Sequence, residues 1–253
     1  MNRVLLIVIS LYFSYAFSQN NPSAFQRGEF LQYKVHYGLM NAGLITVELH
    51  PRASETDTLF QATGRGWTTG MVGFVFPVED IYKTSFGENS FRPAHFVRKV
   101  NEGGYTKDKE IFFDFKKHQA RVVNHKKSTE ESYFIQNNIQ DMLSSFYYLR
   151  KMDLSGVKEN DTISIPMFFD EEMYHINLLI LGREVLKTDF GKINTLRIRP
   201  IVQEGRVFKD KENVTLWLSD DQNKIPVRIK ASILVGSVKA DLMDYRGLAH
   251  PFP

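Results

Sequence analysis

The chain contains no cysteine. That absence excludes disulfide staples, thiol nucleophiles, thiolate metal sites and a lipidated cysteine anchor. An excess of one charge is lacking too, with 32 Lys+Arg against 29 Asp+Glu. A balance this even supplies no concentrated basic face, so no nucleic-acid partner is expected. Lys107 to Lys109 and Lys116-Lys117 read as solvated turns and strand ends. No apolar run reaches the about 20 residues that a transmembrane helix needs. Phosphate-cradling loops are missing as well: Gly64, Gly66, Gly70 and Gly73 have neither the spacing nor the strand–turn–helix context. Ser144-Ser145 lacks the glycine-flanked elbow of a hydrolase nucleophile. No catalytic residue, no metal ligand set and no cofactor is assigned on these grounds.

What is present begins with an address. Asn2-Arg3 is followed by an apolar run from Val4 to Phe13 and small residues at Ala16 and Ser18. One early positive charge, a short apolar core and small residues at the expected cleavage site describe a secretory signal peptide. Residues 1–18 are taken as that signal, with cleavage after Ser18, and 19–24 as a flexible N-terminus. The mature chain is expected in the periplasm or cell envelope, without a transmembrane segment.

The remainder reads as a single β-rich domain over 25–248. Leu31, Tyr33, Val35 and Tyr37 alternate with Gln32, Lys34 and His36, the period of a half-buried strand. Leu44 to Leu49 and Leu59 to Thr63 continue the pattern, and Asp80 to Phe86, Pro93 to Val100, Tyr105 to Phe115 and Gln119 to Asn124 extend the meander. One segment, 138–152, has its apolar residues Ile139, Met142, Leu143, Phe146, Tyr147 and Leu149 at helical spacing. Asn138 is its expected cap, and Arg150 and Lys151 suit the negative end of its dipole. The helix separates two possible β halves, 25–136 and 156–248. Strand signals resume at Thr162 and end in a three-stranded meander from Val214 to Tyr245, turned at Asp220–Asn223 and restarted at Pro226. The expected fold is mainly β: antiparallel meanders forming a curved sheet or an open to partly closed barrel, with one central helix packed on it.

Two stretches invite chemistry. Asp170, Glu171 and His175 are the nearest approach to a metal pattern, but they fall between strands and are too few for a closed site, so a polar turn is the better reading. The other histidines, His95 and His125 among them, show no ligand spacing. The segment Gly64 to Pro77 is strongly apolar yet broken by glycines, so a long regular element is not expected there. Trp67, Met71, Val72, Phe74 and Phe76 are the candidate ligand-binding residues, forming a mobile apolar lid. The alternative is a buried core segment bent by its glycines.

Three stretches resemble a family of exported bacterial proteins, the domain of unknown function 3108. They are Phe25-x-x-Gly28-Glu29-x-Leu31-x-Tyr33 with Ala42-Gly43, then Asp141-Met142-Leu143-Ser144-Ser145-Phe146-Tyr147-Tyr148-Leu149-Arg150, then Trp217 to Asp221 with Pro226-Val227. The resemblance implies export and a β-rich fold but carries no catalytic residues. The tryptophan–turn–proline pattern also resembles lipoprotein carriers of the bacterial envelope, whose curved sheet encloses an apolar cavity. The expected function is non-catalytic binding of an apolar or lipid-like ligand, or of an envelope partner protein. A carbohydrate-active hydrolase using a carboxylate pair, and an assembly protein using exposed sheet edges, are the alternatives.

Overall fold

The computed structural model describes residues 23–52, 58–201, 214–232 and 236–253. The signal segment and its cleavage point lie outside the described residues. Eight strands precede the long helix: β1 (Phe30–Tyr37), β2 (Met40–Arg52), β3 (Leu59–Thr68), β4 (Glu79–Gly87), β5 (Pro93–Glu102), β6 (Tyr105–Asp114), β7 (Gln119–Asn124) and β8 (Thr129–Phe134). A short helix, α1 (Gly70–Val75), stands between β3 and β4. Helix α2 (Met142–Lys151) leads into β9 (Thr162–Phe169), β10 (Glu172–Thr188), β11 (Gly191–Ile201), β12 (Val214–Ser219), β13 (Pro226–Ser232) and β14 (Ser237–Arg246).

All fourteen strands form one antiparallel sheet in the order β8-β7-β6-β5-β4-β3-β2-β1-β14-β13-β12-β11-β10-β9. The first and last strands are thus neighbours, with Tyr33 opposite Leu242, and the C-terminal meander joins the two halves rather than closing the sheet. The sheet is not closed: β8 and β9 are its edges. Curvature nevertheless brings them together. Phe168 of β9 packs on Phe113 and Tyr133, at ring separations of 6.2 and 5.8 Å. Side chains, not backbone bonds, fill this seam. Because the strands alternate in direction, the turns β1–β2, β5–β6 and β9–β10, together with α1, all lie at one end of the barrel.

Helix α2 starts later than the apolar periodicity suggests, and its cap is Asp141 rather than Asn138. The Asp141 carboxylate accepts from the backbone N–H groups of Leu143 and Ser144, and Ser144 Oγ accepts from the Asp141 N–H. An earlier start is blocked because Gln140 is held extended against the edge of β9. Its N–H donates to Pro166 O at 2.9 Å, and its carbonyl accepts from Phe168 N at 2.8 Å. Strand β8 and helix α1 are further elements that periodicity did not expose: β8 has an almost wholly exposed edge, and α1 is only six residues long.

Candidate ligand-binding cavity

Helix α2 is two-faced. Leu143, Tyr147 and Arg150, spaced four and three apart, enter the aromatic core beside Phe25, Phe60 and Phe86. Met142, Ser145, Phe146 and Leu149 share another face and form the floor of a cavity of about 530 Å3 inside the barrel. Its walls are apolar: Ile45 and Val47 of β2, Ile165 and Met167 of β9, Ile176 and Leu178 of β10, and Leu216 and Leu218 of β12. The volume falls within the roughly 300–1,000 Å3 usual for small-molecule sites. Part of the space exists because β3 places glycine where its neighbours place branched side chains. Gly64 lies opposite Val47 and Tyr82, and Gly66 opposite Ile45 and Asp80. A Cβ on Gly64 would meet nothing closer than 4.0 Å, and one on Gly66 nothing closer than 3.7 Å.

Polar groups gather where the cavity approaches the turn-bearing end. Asp80 and Tyr82 line it, and burial raises the Tyr82 hydroxyl pKa. Asp80 accepts from Asn101 N–H at 3.0 Å. It also bonds the Glu102 carboxyl, whose pKa is raised by burial and by this neighbour. Beyond them Arg98, Lys107 and Lys109 share the inward face of β5 and β6 with Phe96 and Ile111. They are not the solvated strand-end charges that composition suggests. Lys107 and Lys109 alternate with Ile111, and that period of two is the signal that marks them as inward.

Their partners come from the β9–β10 turn. Asp170 bonds Arg98 at 2.9 Å and Lys107 at 3.1 Å, and Glu171 bonds Lys109 at 2.6 Å. Burial works to raise the Asp170 pKa, but Lys107 and Arg98 outweigh it and leave it lowered. His175 points elsewhere, to Ser164 Oγ at 3.0 Å. Asp170 and Glu171 do form a turn, as expected, but a turned-in and ion-paired one. Among the described residues no group of three or more His, Asp or Glu side chains is placed to hold a metal ion. On the outer face, strand pairing does bring His95 and His125 to the two oxygens of Glu110, at 2.9 and 3.0 Å, although they are far apart in sequence.

None of Trp67, Met71, Val72, Phe74 and Phe76 lines the cavity. They stand beyond it, on α1 and its flanks, joined to the cavity wall through Gly66 and Asp80. No residue of α1 is buried. Met71 is 80% and Phe74 90% exposed, and Leu39 and Met40 of the β1–β2 turn are exposed at the same end. Phe76 is held in place because its ring lies over Gly103, where a Cβ would come within 2.3 Å of it. Ala42-Gly43 supports the segment from β2: Ala42 O accepts from Thr69 N, and a Cβ on Gly43 would strike Trp67 O at 2.3 Å.

The opposite end is sealed by a buried ion pair. Arg150 donates from both terminal nitrogens to Glu29, at 2.6 and 2.7 Å, with the two side chains 0% and 1% exposed. Its remaining donors reach Asn223 O and Ala24 O, each at 3.0 Å, and Phe25, Phe146 and Tyr147 rings surround the guanidinium. Asn223 belongs to the β12–β13 turn, which Asp221 organises by accepting from Ser219 Oγ, Asn223 N and Lys224 N. The three stretches that carry the family resemblance therefore meet at one place.

Fold and cavity together define an incompletely closed antiparallel β-barrel with an apolar interior. The chain belongs to the family described as protein of unknown function DUF3108, whose pattern matches residues 32–243. No curated protein matches the sequence. Among solved structures it is similar to a beta-barrel-like protein of the domain of unknown function DUF1849 from Brucella abortus. That likeness has a TM-score of 0.57 and 10% identity, and covers 87% of this chain and 98% of the other. A Bacteroides fragilis protein with a YmcC-like fold is similar at a TM-score of 0.40 and 8% identity, over 88% and 97%. What the Brucella protein shares with this chain is the barrel-like fold.

Proposed function

We propose that this protein binds an apolar or amphipathic ligand in the bacterial cell envelope, without catalysis, after export and removal of residues 1–18. The observation that carries the reading is the cavity of about 530 Å3, apolar on nearly every side and floored by α2. Apolar cavities stay dry and accept apolar guests, because water gains no hydrogen bonds there. The polar groups at one end give an amphipathic guest its orientation. Trp67, Met71, Val72, Phe74 and Phe76 act as a lid at that end, folding toward the cavity when it is filled.

Protein purified from its native host provides the test. Organic extraction followed by mass spectrometry is expected to yield a co-purifying lipid or single-chain amphiphile in stoichiometric amount. Absence of such a molecule, together with no saturable uptake of a fluorescent fatty acid, overturns the binding reading. Intact-mass measurement of the same sample is expected to show Gln19 at the N-terminus, and a retained Met1 overturns the export reading.

A further inference from the structure

The β9–β10 turn is the least ordinary piece of backbone near the cavity. Asp170 and Glu171, its two central residues, have φ of +46° and +69°. Two-residue hairpin turns of this hand favour Asn-Gly or Asp-Gly, and a glutamate in the left-handed region is strained. The turn is partly exposed, with the Asp170 and Glu171 side chains 40% and 34% open to solvent. It reaches across the open seam, from the β9 edge to the inner faces of β5 and β6, and delivers its two carboxylates to Arg98, Lys107 and Lys109. These cations are only 16%, 20% and 15% exposed; none lines the cavity itself, which Arg98 adjoins through Phe169 and Tyr82. Phe169, the residue before the turn, lies under the Arg98 guanidinium at 4.6 Å and lines the cavity. It also lines a crevice of about 10 Å3 shared by Phe96, Ile111 and Val122 with the charged Arg98, Lys109, Asp170 and Glu171. One donor beside it is unused: Arg98 Nε is buried and has no hydrogen-bond partner among the described residues.

We propose that Arg98, Lys107 and Lys109 form the head-group site of the cavity, that the ligand is an anionic amphiphile, and that Asp170 and Glu171 occupy this site in its absence. The assignment rests on the cavity being a ligand site and names the chemistry of that ligand. A phosphate head carries up to two negative charges, as the turn's two carboxylates do, and a carboxylate head one, so an anionic head takes over pairing of the cations that the turn releases. Asp80 and Glu102 remain bonded to each other, and the free Arg98 Nε gives the incoming head a donor that the turn does not use. An uncharged or cationic head gains none of this, because it leaves the three cations to the turn.

Equilibrium dialysis of delipidated mature protein with oleate, oleyl alcohol or oleylamine separates the possibilities. Oleate is expected to bind more tightly than the other two. Asp170→Asn with Glu171→Gln is expected to tighten oleate by about tenfold, having removed the internal competitor, while Arg98→Gln with Lys107→Gln weakens it by about tenfold. Oleyl alcohol affinity is expected to stay within twofold in both variants. Should the double turn variant open the seam and unfold, the single Glu171→Gln, which removes one ion pair, is expected to tighten oleate in the same direction. Equal responses of oleate and alcohol, or weaker oleate binding by the turn variants, overturn the head-group assignment while leaving the cavity reading intact. If none of the three probes binds, the cavity reading fails and the assignment fails with it.

Discussion

Arg150 and Glu29, 121 positions apart, hold each other through two hydrogen bonds of 2.6 and 2.7 Å in a place without solvent. The pair ties the C-terminal end of α2 to the entrance of β1, and through Asn223 O to the turn between β12 and β13. Two buried charges gain little over a well-packed apolar pair, but each is costly without the other. Arg150→Ala or Glu29→Ala is expected to cost about 3–5 kcal/mol. In thermal unfolding that corresponds to a drop of roughly 10 °C for a domain of this size. Arg150→Met combined with Glu29→Leu is expected to recover most of the loss.

Tyr147, beside the same Arg150 guanidinium, is a contrasting case. Its ring is fully buried against Phe25 and Phe146, yet its hydroxyl has no hydrogen-bond partner among the described residues. Burial and the nearby Glu29 carboxylate both raise its pKa, so the group stays neutral. Removing an unpaired buried hydroxyl restores no penalty, and Tyr147→Phe is expected to unfold at the same temperature or higher. Calorimetry of the two proteins side by side decides it.

Asp141 gives the fold a pH dependence of defined sign. Burial pushes its carboxyl up to about 6, against the hydrogen bonds from Thr84, Ser144 and Leu143 that pull it down. An unfolded aspartate titrates near 3.9. The folded state therefore holds its proton more tightly, and this contribution to stability is complete below about 4 and lost as pH rises through about 6. Asn caps helices as well as Asp does and cannot titrate. Denaturant unfolding between pH 4 and 6 is expected to show wild type losing stability relative to Asp141→Asn. A constant difference between the two across that range would contradict the assignment.

The cavity can be filled from its glycine wall. A Cβ on Gly64 meets Leu143 Cδ1, Thr46 O and Tyr82 Cβ at ordinary contact distance, so larger side chains at this position project into the open space. Gly64→Leu is expected to fold with an unchanged or higher unfolding temperature and to bind fatty-acid probe at least about tenfold more weakly. Retained binding would place the ligand elsewhere.

Exposure of α1 makes the lid separable from the fold. Phe74→Ser removes a side chain that is 90% exposed, and Phe76→Ser one that rests on Gly103 at the surface. The double variant is expected to lose no more than about 1 kcal/mol of stability. Stopped-flow uptake of probe is expected to slow or leak without this apolar rim. Unfolding of the variant would return the segment to the core.

Local patterning was enough to establish the mainly β character, the meander at 214–246, the existence of α2 and the turn at Asp170-Glu171. Each rests on a period of two or of 3.6 residues, or on turn chemistry, which neighbouring residues decide among themselves. The helix boundary was not local. Asn138 has the right side chain for a cap, but Gln140 is pulled straight by the β9 edge, and that edge comes from residues 26 to 28 positions later. The same holds for the site. Lys107 and Lys109 alternate visibly with Ile111, yet their counter-ions arrive from Asp170 and Glu171 across a seam that exists only once the sheet has curled. Glu29 and Arg150 are each single charges in apolar surroundings, and nothing in either stretch names the other. Pairing over such separations is set by strand order and sheet curvature, which no short window contains. Local sequence therefore determined most of the elements, whereas β8, α1, the start of α2 and the choice of which inward faces meet were decided by tertiary structure, and with them the cavity and its sealed end.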